Sequence, residues 1–178
     1  EQLVRSNYGQ EPANLFVKNP SIIALNDNGT EFGYGYFRIR GLDQTRINIM
    51  LDGCPWNEAE DFGSYFANSP DLMSSMENIA VNRGTSSNNN GIAGSAGSVN
   101  LESVNIWHDN DSYAYLGGGS FNSFKSSVIY NMTPRNGWGL HIKATHQQTD
   151  GYRDYGFNNS KAFTIKTGYK FNNNHSID

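Results

Sequence analysis

The chain has little of what marks catalysis or a helical membrane anchor. Its one cysteine, Cys54, excludes an internal disulfide and a cysteine-based zinc site, and it reads as a small buried hydrophobe in Asp52-Gly53-Cys54-Pro55-Trp56. No apolar run reaches the roughly 18 residues that a membrane-crossing helix needs. There is no signal peptide, and the chain does not begin with Met, so a mature exported protein or a fragment is expected. His108, His141, His146 and His175 have no metal-ligand spacing. Gly117-Gly118-Gly119-Ser120 is not a nucleophile elbow, and no phosphate-binding loop exists. We therefore expect no enzyme, cofactor or metal. A net charge of −4 without a basic patch excludes nucleic acid as a partner.

What is present is aromatic and small. The 10 Tyr, 10 Phe and 3 Trp argue against disorder despite few aliphatic side chains. With 19 Gly, this composition suits strands whose two faces meet different solvents, as in an outer-membrane barrel.

The first hundred residues read as a compact α+β unit. Pro12 to Val17 is a short helix with Leu15 and Phe16 as its buried contacts, and Asn19-Pro20 ends it. Asn26 to Gly29 is a turn. Tyr36–Arg40 and Arg46–Leu51 alternate as strands, and Asp52-Gly53 is a turn. Ser69 followed by Pro70 predicts a capped helix over Asp71–Met76. Asn78–Asn82 and Val99–Ile106 are further strands. Between them, residues 84–98 form a Gly/Ser/Asn tract that reads as a flexible linker.

After residue 106 the pattern changes to sustained alternation. Trp138, Leu140, Ile142 and Ala144 oppose Gly139, His141 and Lys143. Phe163, Ile165, Thr167, Tyr169 and Phe171 oppose Thr164, Lys166, Gly168 and Lys170. Ser126, Val128, Tyr130 and Met132 behave likewise against Lys125, Ser127 and Asn131, and Tyr113–Phe121 is a weaker repeat. Segments of about 9–11 residues cross a bilayer when tilted. Pro134 to Gly137 is a tight turn and Asp150 to Ser160 a longer polar loop. Trp138, Tyr169 and Phe171 are expected to line one membrane interface. Soluble β-sandwich hairpins show the same alternation.

Taken together, nearly the whole chain resembles the plug and first strands of TonB-dependent outer-membrane receptors. Ile39-Arg40-Gly41 is similar to the family's I-R-G, and Leu51 to Asn57 to its D-G-[IV]-P-x-N turn. Val81-Asn82-Arg83-Gly84 is similar to V-x-R-G-P, with Thr85 in place of the Pro. Gly94 to Leu101 resembles the segment that closes the plug. The resemblance implies a mixed-sheet plug over 1–106 and about four antiparallel strands over 107–178. These strands would open a barrel of roughly 22, of which this chain is an N-terminal part. Four strands cannot close, and an open edge in lipid leaves backbone groups unpaired.

The implied function is gated import of a scarce bulky nutrient across the bacterial outer membrane. An iron chelate (siderophore) leads, with haem, cobalamin or a glycan also open. The implied partners are the periplasmic TonB energy-transducing complex, outer-membrane lipid and the transported ligand. Arg40 and Arg83 are expected to latch the plug onto barrel-wall carboxylates through bidentate pairs. Ligand contacts are expected from Trp56, Asn57, Glu58, Asp61, Phe62 and Tyr65 and from Asn88 and Asn89 in the second loop, since aromatics interleaved with polar groups make a recognition surface. Glu58, Glu60 and Asp61 read as a solvated acidic loop rather than a calcium site. The glycines of residues 84–98 let a dense plug rearrange. The competing reading is a soluble all-β adhesion or carbohydrate-binding module using the Trp56–Tyr65 loop.

Overall fold

The computed structural model describes residues 7–84, 94–172 and 175–177. The first helix, α1 (Pro12–Phe16), carries Pro at its first turn, where the missing N–H has no partner to lose. Strands β1 (Ile22–Asn26) and β2 (Gly35–Ile39) pair antiparallel with Ile22 opposite Ile39, and β3 (Leu42–Asp43) extends that sheet. A second sheet has the order β5-β4-β7-β6, from β4 (Ile47–Leu51), β5 (Cys54–Pro55), β6 (Met76–Arg83) and β7 (Gly97–Ser103). It is mixed: β4 and β7 run parallel, with Ile49 opposite Val99, while β6 and β7 run antiparallel. Gly97 sits where a Cβ would strike the carbonyl oxygen of Asn82, so β6 and β7 approach only because that side chain is missing.

One core joins the two sheets and α1. Leu15, Phe16, Phe37, Ile39, Ile47, Ile49, Phe66, Val99 and Leu101 are buried in it. Phe16 meets Phe37 edge-on at 5.1 Å and Phe66 at 6.1 Å, geometries that add to the burial itself.

The rest is a five-stranded antiparallel meander, β8 (Tyr113–Gly119), β9 (Ser123–Arg135), β10 (Trp138–Thr149), β11 (Asn158–Asn172) and β12 (His175–Ile177). Asn136 and Gly137 turn β9 into β10 with φ of 52° and 80°, as a tight hairpin requires. Trp138 lies opposite Tyr169 with ring centroids 5.0 Å apart, and Phe171 stands edge-on to Tyr169. The expected aromatic cluster therefore forms, at the tight-turn end of the sheet.

The polarity of this sheet is inverted. Lys125, Ser127, His141, Lys143, Thr145, Gln147 and Thr149 are buried on the face toward the first unit. Leu116, Val128, Phe163 and Ile165 stand on the other face, each more than half exposed.

Several expectations need correction. Ser69 does not cap a helix: Asp71 is left-handed at φ 58°, and only a 3₁₀ turn over Leu72–Ser75 follows. The reason is that Asp71 is drawn toward the five-stranded meander, as described below. Strand β7 ends at Ser103, and Ile106 is buried in a turn against Gly139. Strands β9, β10 and β11 have 13, 12 and 15 residues, longer than expected. Cys54 is exposed, because its two-residue strand lies on the sheet edge beside a turn.

Candidate functional site

Four places in the fold bear on function: the two Arg-Gly motifs, the loop after β5, the outer loop contacts and the plug–wall interface. The Arg-Gly motifs come together in space. Arg40 is left-handed at φ 52° just after β2, and its guanidinium lies beside Gly84. Arg83 donates from Nη1 to the Pro20 carbonyl at 3.1 Å. Both side chains are exposed, and neither is in an ion pair among the described residues. Arg38 and Arg46 are exposed as well.

The loop after β5 divides into a structural half and an open half. Trp56 stacks on Phe66 at 6.4 Å and 13°, against the core. Asn57 accepts from the Ile49 N–H at 2.7 Å and donates to the carbonyls of Ile47 and Phe62, so it pins the loop to β4. Asp61 accepts from the Gly63 N–H at 2.7 Å and the Tyr65 hydroxyl at 2.5 Å. That hydroxyl holds the Asp61 carboxyl below its usual range, and the carboxylate in turn pushes the Tyr65 phenol up to about 12. Phe62, left-handed at φ 59°, is 59% exposed. Arg46, Asn48, Asn57, Glu58, Phe62 and Ser95 line a cavity of about 590 Å³. Of the expected ligand contacts, Asn57, Glu58 and Phe62 share that cavity, whereas Trp56, Asp61 and Tyr65 do not line it. Asn88 and Asn89 lie outside the described residues.

At the outer-loop end of the meander, the β10–β11 loop closes over the β1–β2 hairpin. The N–H groups of Tyr152 and Arg153 donate to the Asn28 carbonyl at 2.9 and 3.2 Å, and Arg153 Nη1 donates to the Asp27 carbonyl. Phe121 stands edge-on to Tyr152 at 5.5 Å.

The fourth place is the plug–wall interface, which sequence reasoning missed. Asp71 projects from the first unit onto the polar face of the meander. Lys125 Nζ donates to its Oδ1 at 2.8 Å, with side-chain exposures of 4% and 0%. Ser127 Oγ donates to Oδ2 at 3.1 Å, and Lys143 Nζ donates to the Asp71 backbone carbonyl. Around this grip, His141 Nε2 pairs with Ser75 Oγ at 3.1 Å, and Lys166 Nζ donates to Ser103 Oγ at 2.7 Å. One signal in the chain points to it. Residues 113–149 and 158–172 contain five lysines and not one Asp or Glu. Buried wall lysines must therefore draw their carboxylate from elsewhere.

A mixed α+β unit with its own core, covered by an extensive antiparallel sheet whose polar face is buried and whose apolar face is exposed, fits the plug and open strands of a barrel-forming receptor. The comparisons specify the family. The model of the TonB-dependent receptor plug domain matches residues 1–98, and the chain belongs to that family. Solved receptors share the fold. The copper transporter OprC is 18% identical with a TM-score of 0.69, over 94% of this chain and 26% of that one. The siderophore receptor PiuA from Acinetobacter baumannii is 16% identical at TM-score 0.66, over 94% and 23%. The pyoverdine outer membrane receptor FpvA from Pseudomonas aeruginosa, bound to pyoverdine, is 16% identical at TM-score 0.66, over 92% and 23%. The chain thus spans about a quarter of the length of these receptors. No curated protein sequence matches it.

Proposed function

We propose that this chain is the plug, over residues 1–106, and the opening wall, over 107–178, of a receptor importing a scarce bulky nutrient across the bacterial outer membrane. The inverted polarity of β9–β11 carries the reading. A soluble module hides apolar side chains and wets polar ones, whereas here Lys125, His141, Lys143 and Gln147 are buried while Val128, Phe163 and Ile165 face outward. A barrel places its apolar band against lipid and its polar face inward. The meander has five strands where about four were expected, and the other strands of a barrel of roughly 22, about 17, belong to the rest of the receptor. Short turns are periplasmic in such barrels and longer loops extracellular, which puts Asn136-Gly137 inside and the Asp150–Phe157 loop outside.

The receptors sharing this fold are described as transporters or receptors of copper, iron, siderophores and pyoverdine. An iron chelate is accordingly the leading cargo, followed by haem, cobalamin or a glycan, with the periplasmic TonB complex as energy source. Import breaks no covalent bond, so the protein is not an enzyme. Arg40 and Arg83, side by side and exposed, are positioned to latch onto carboxylates of later barrel strands. The cavity beside Asn57, Glu58 and Phe62 is the candidate ligand surface, Trp56, Asp61 and Tyr65 shape it, and Asn88 and Asn89 are retained as candidate contacts from the sequence.

The test is uptake by cells expressing the full-length receptor, offered radio-iron-loaded chelates, haem, cobalamin and oligosaccharides. Uptake of one cargo class that stops when a protonophore collapses the inner-membrane gradient supports the reading. Energy-independent accumulation, or none with any of the four, contradicts it.

A further inference from the structure

We propose that Arg135 and Trp138 hold the phosphate of an anionic phospholipid of the periplasmic leaflet, whose acyl chain lies in the groove beside them on the outward face of the meander. This rests on the barrel-wall reading and deepens it, from a general contact with lipid to one lipid site.

A β-bulge places the cation. Met132 pairs with Leu140 and Arg135 with Trp138, so Thr133 and Pro134 of β9 together oppose the single residue Gly139 of β10. Along the regular part of β9 the odd-numbered side chains turn inward. Asn131 is one of them, its Oδ1 2.7 Å from Nδ1 of the buried His141. Unbroken alternation would send Arg135 inward as well. The extra residue turns it to the outward face, the re-aiming that bulges produce. Pro134 fits there because it has no N–H to lose from the ladder. Gly139 fits because a Cβ would lie 2.6 Å from the Ile106 carbonyl oxygen.

Beside Arg135 lies a groove of about 350 Å³, lined by Met132, Trp138, Leu140 and Thr167. The Thr167 hydroxyl donates to the Gly139 carbonyl at 3.2 Å, so the groove is apolar except at its Arg135 end. Trp138 is 53% exposed and is braced from behind by Tyr169. From there up to Val128, Ala144 and Phe163, the outward side chains of β9, β10 and β11 are all uncharged. Arg135 thus stands at the lower edge of an apolar band.

Charge names the occupant. Arg135 is exposed and makes no ion pair among the described residues. Residues 113–149 and 158–172 hold no Asp or Glu, so its counter-charge comes from outside these strands. The adjoining Asn136-Gly137 turn sets the site at the periplasmic boundary of the bilayer, where the anions at hand are lipid phosphates. A guanidinium fork binds two phosphate oxygens at once. Trp138 adds an indole N–H at headgroup level, where Trp sits between apolar and wet surroundings. The groove takes the acyl chain attached to that phosphate. Free phosphate would satisfy only the polar half of the site, and an uncharged diacylglycerol only the apolar half.

The test is native mass spectrometry of the full-length receptor in detergent, which counts the lipids each receptor retains. It is titrated with phosphatidylglycerol, with diacylglycerol of the same chains, and with the chain-free headgroup glycerophosphoglycerol. Arg135→Gln removes the charge, and Thr167→Trp fills the groove while leaving Arg135 in place. Each is expected to lose one bound phosphatidylglycerol per receptor, regained only at on the order of tenfold more lipid. Lys161→Gln, which removes a charge from the other end of the same face, should retain it, and neither control ligand should replace it. Parent-like retention by Arg135→Gln or Thr167→Trp, an equal loss in Lys161→Gln, or retention of diacylglycerol or glycerophosphoglycerol as tight as that of phosphatidylglycerol would overturn the proposal. If Arg135→Gln does not insert, Thr167→Trp and the control ligands decide. A receptor that inserts and imports its cargo while failing these tests loses the lipid site alone. A parent receptor that does not insert contradicts the barrel reading and this proposal together.

Discussion

Glu11, at the start of α1, is buried with its Oε1 unpartnered among the described residues. Burial alone pushes its carboxyl up to about 8 from 4.5. The sign follows from linkage. Between those values the folded carboxyl keeps its proton while the unfolded one releases it, so stability falls as pH rises from 4.5 through about 8. Glu11→Gln removes the titration and is expected to stabilise the plug at pH 8 by on the order of a few kcal/mol. Urea midpoints of the parent and variant receptors at pH 5 and pH 8 measure it, and the gap between them should widen at the higher pH. A second residue-scale expectation concerns Tyr65→Phe, which deletes the hydroxyl bound to Asp61. The Asp61 carboxyl then rises toward its ordinary value, observable by NMR titration of a carboxyl-labelled receptor. Phe16→Ala empties a fully buried site between Phe37 and Phe66 and is expected to cost about 3–5 kcal/mol, read from the same denaturation curves.

Among the elements, those with a clear period were legible and those shaped by distant contacts were not. β2, β4 and the alternating faces of β9–β11 were readable because a side chain on a strand has only two directions. Pro12 marked α1 through its backbone chemistry. Residues 69–76 misled, because Ser69-Pro70-Asp71 carries helix-start chemistry while Lys125 and Lys143, more than 50 residues on, hold Asp71 in a left-handed turn. For the same reason the Asp71 grip was invisible locally and legible only as a charge imbalance along the later strands. In the loop after β5, Asn57 and Trp56 brace the backbone and the core, a role that no local pattern distinguishes from ligand contact. At this scale the lipid-facing assignment makes its own prediction. Ile165→Lys, on the outward face of β11, is expected to cost about 2–4 kcal/mol near mid-bilayer. Thr164→Lys, on the inward face beside it, does not meet lipid. Heat-modifiability on SDS gels of the two full-length variants separates them.

For the molecule as a whole, three kinds of surface must be matched at once. The plug core excludes water, the plug–wall seam is polar and dry, and the outside of the wall is apolar. Only the third of these is unusual for a water-soluble protein, and it decides where the molecule lives. The most direct measurement uses single cysteines on the Cys54→Ser full-length receptor in membranes, each carrying a fluorophore exposed to nitroxide-labelled lipid. Val128→Cys and Phe163→Cys, on the outward face, should be quenched strongly, and Tyr152→Cys, in the outer loop, should instead label from water. Equal quenching at all three positions, or rapid aqueous labelling of Val128→Cys and Phe163→Cys, would contradict the account of this sheet as a barrel wall.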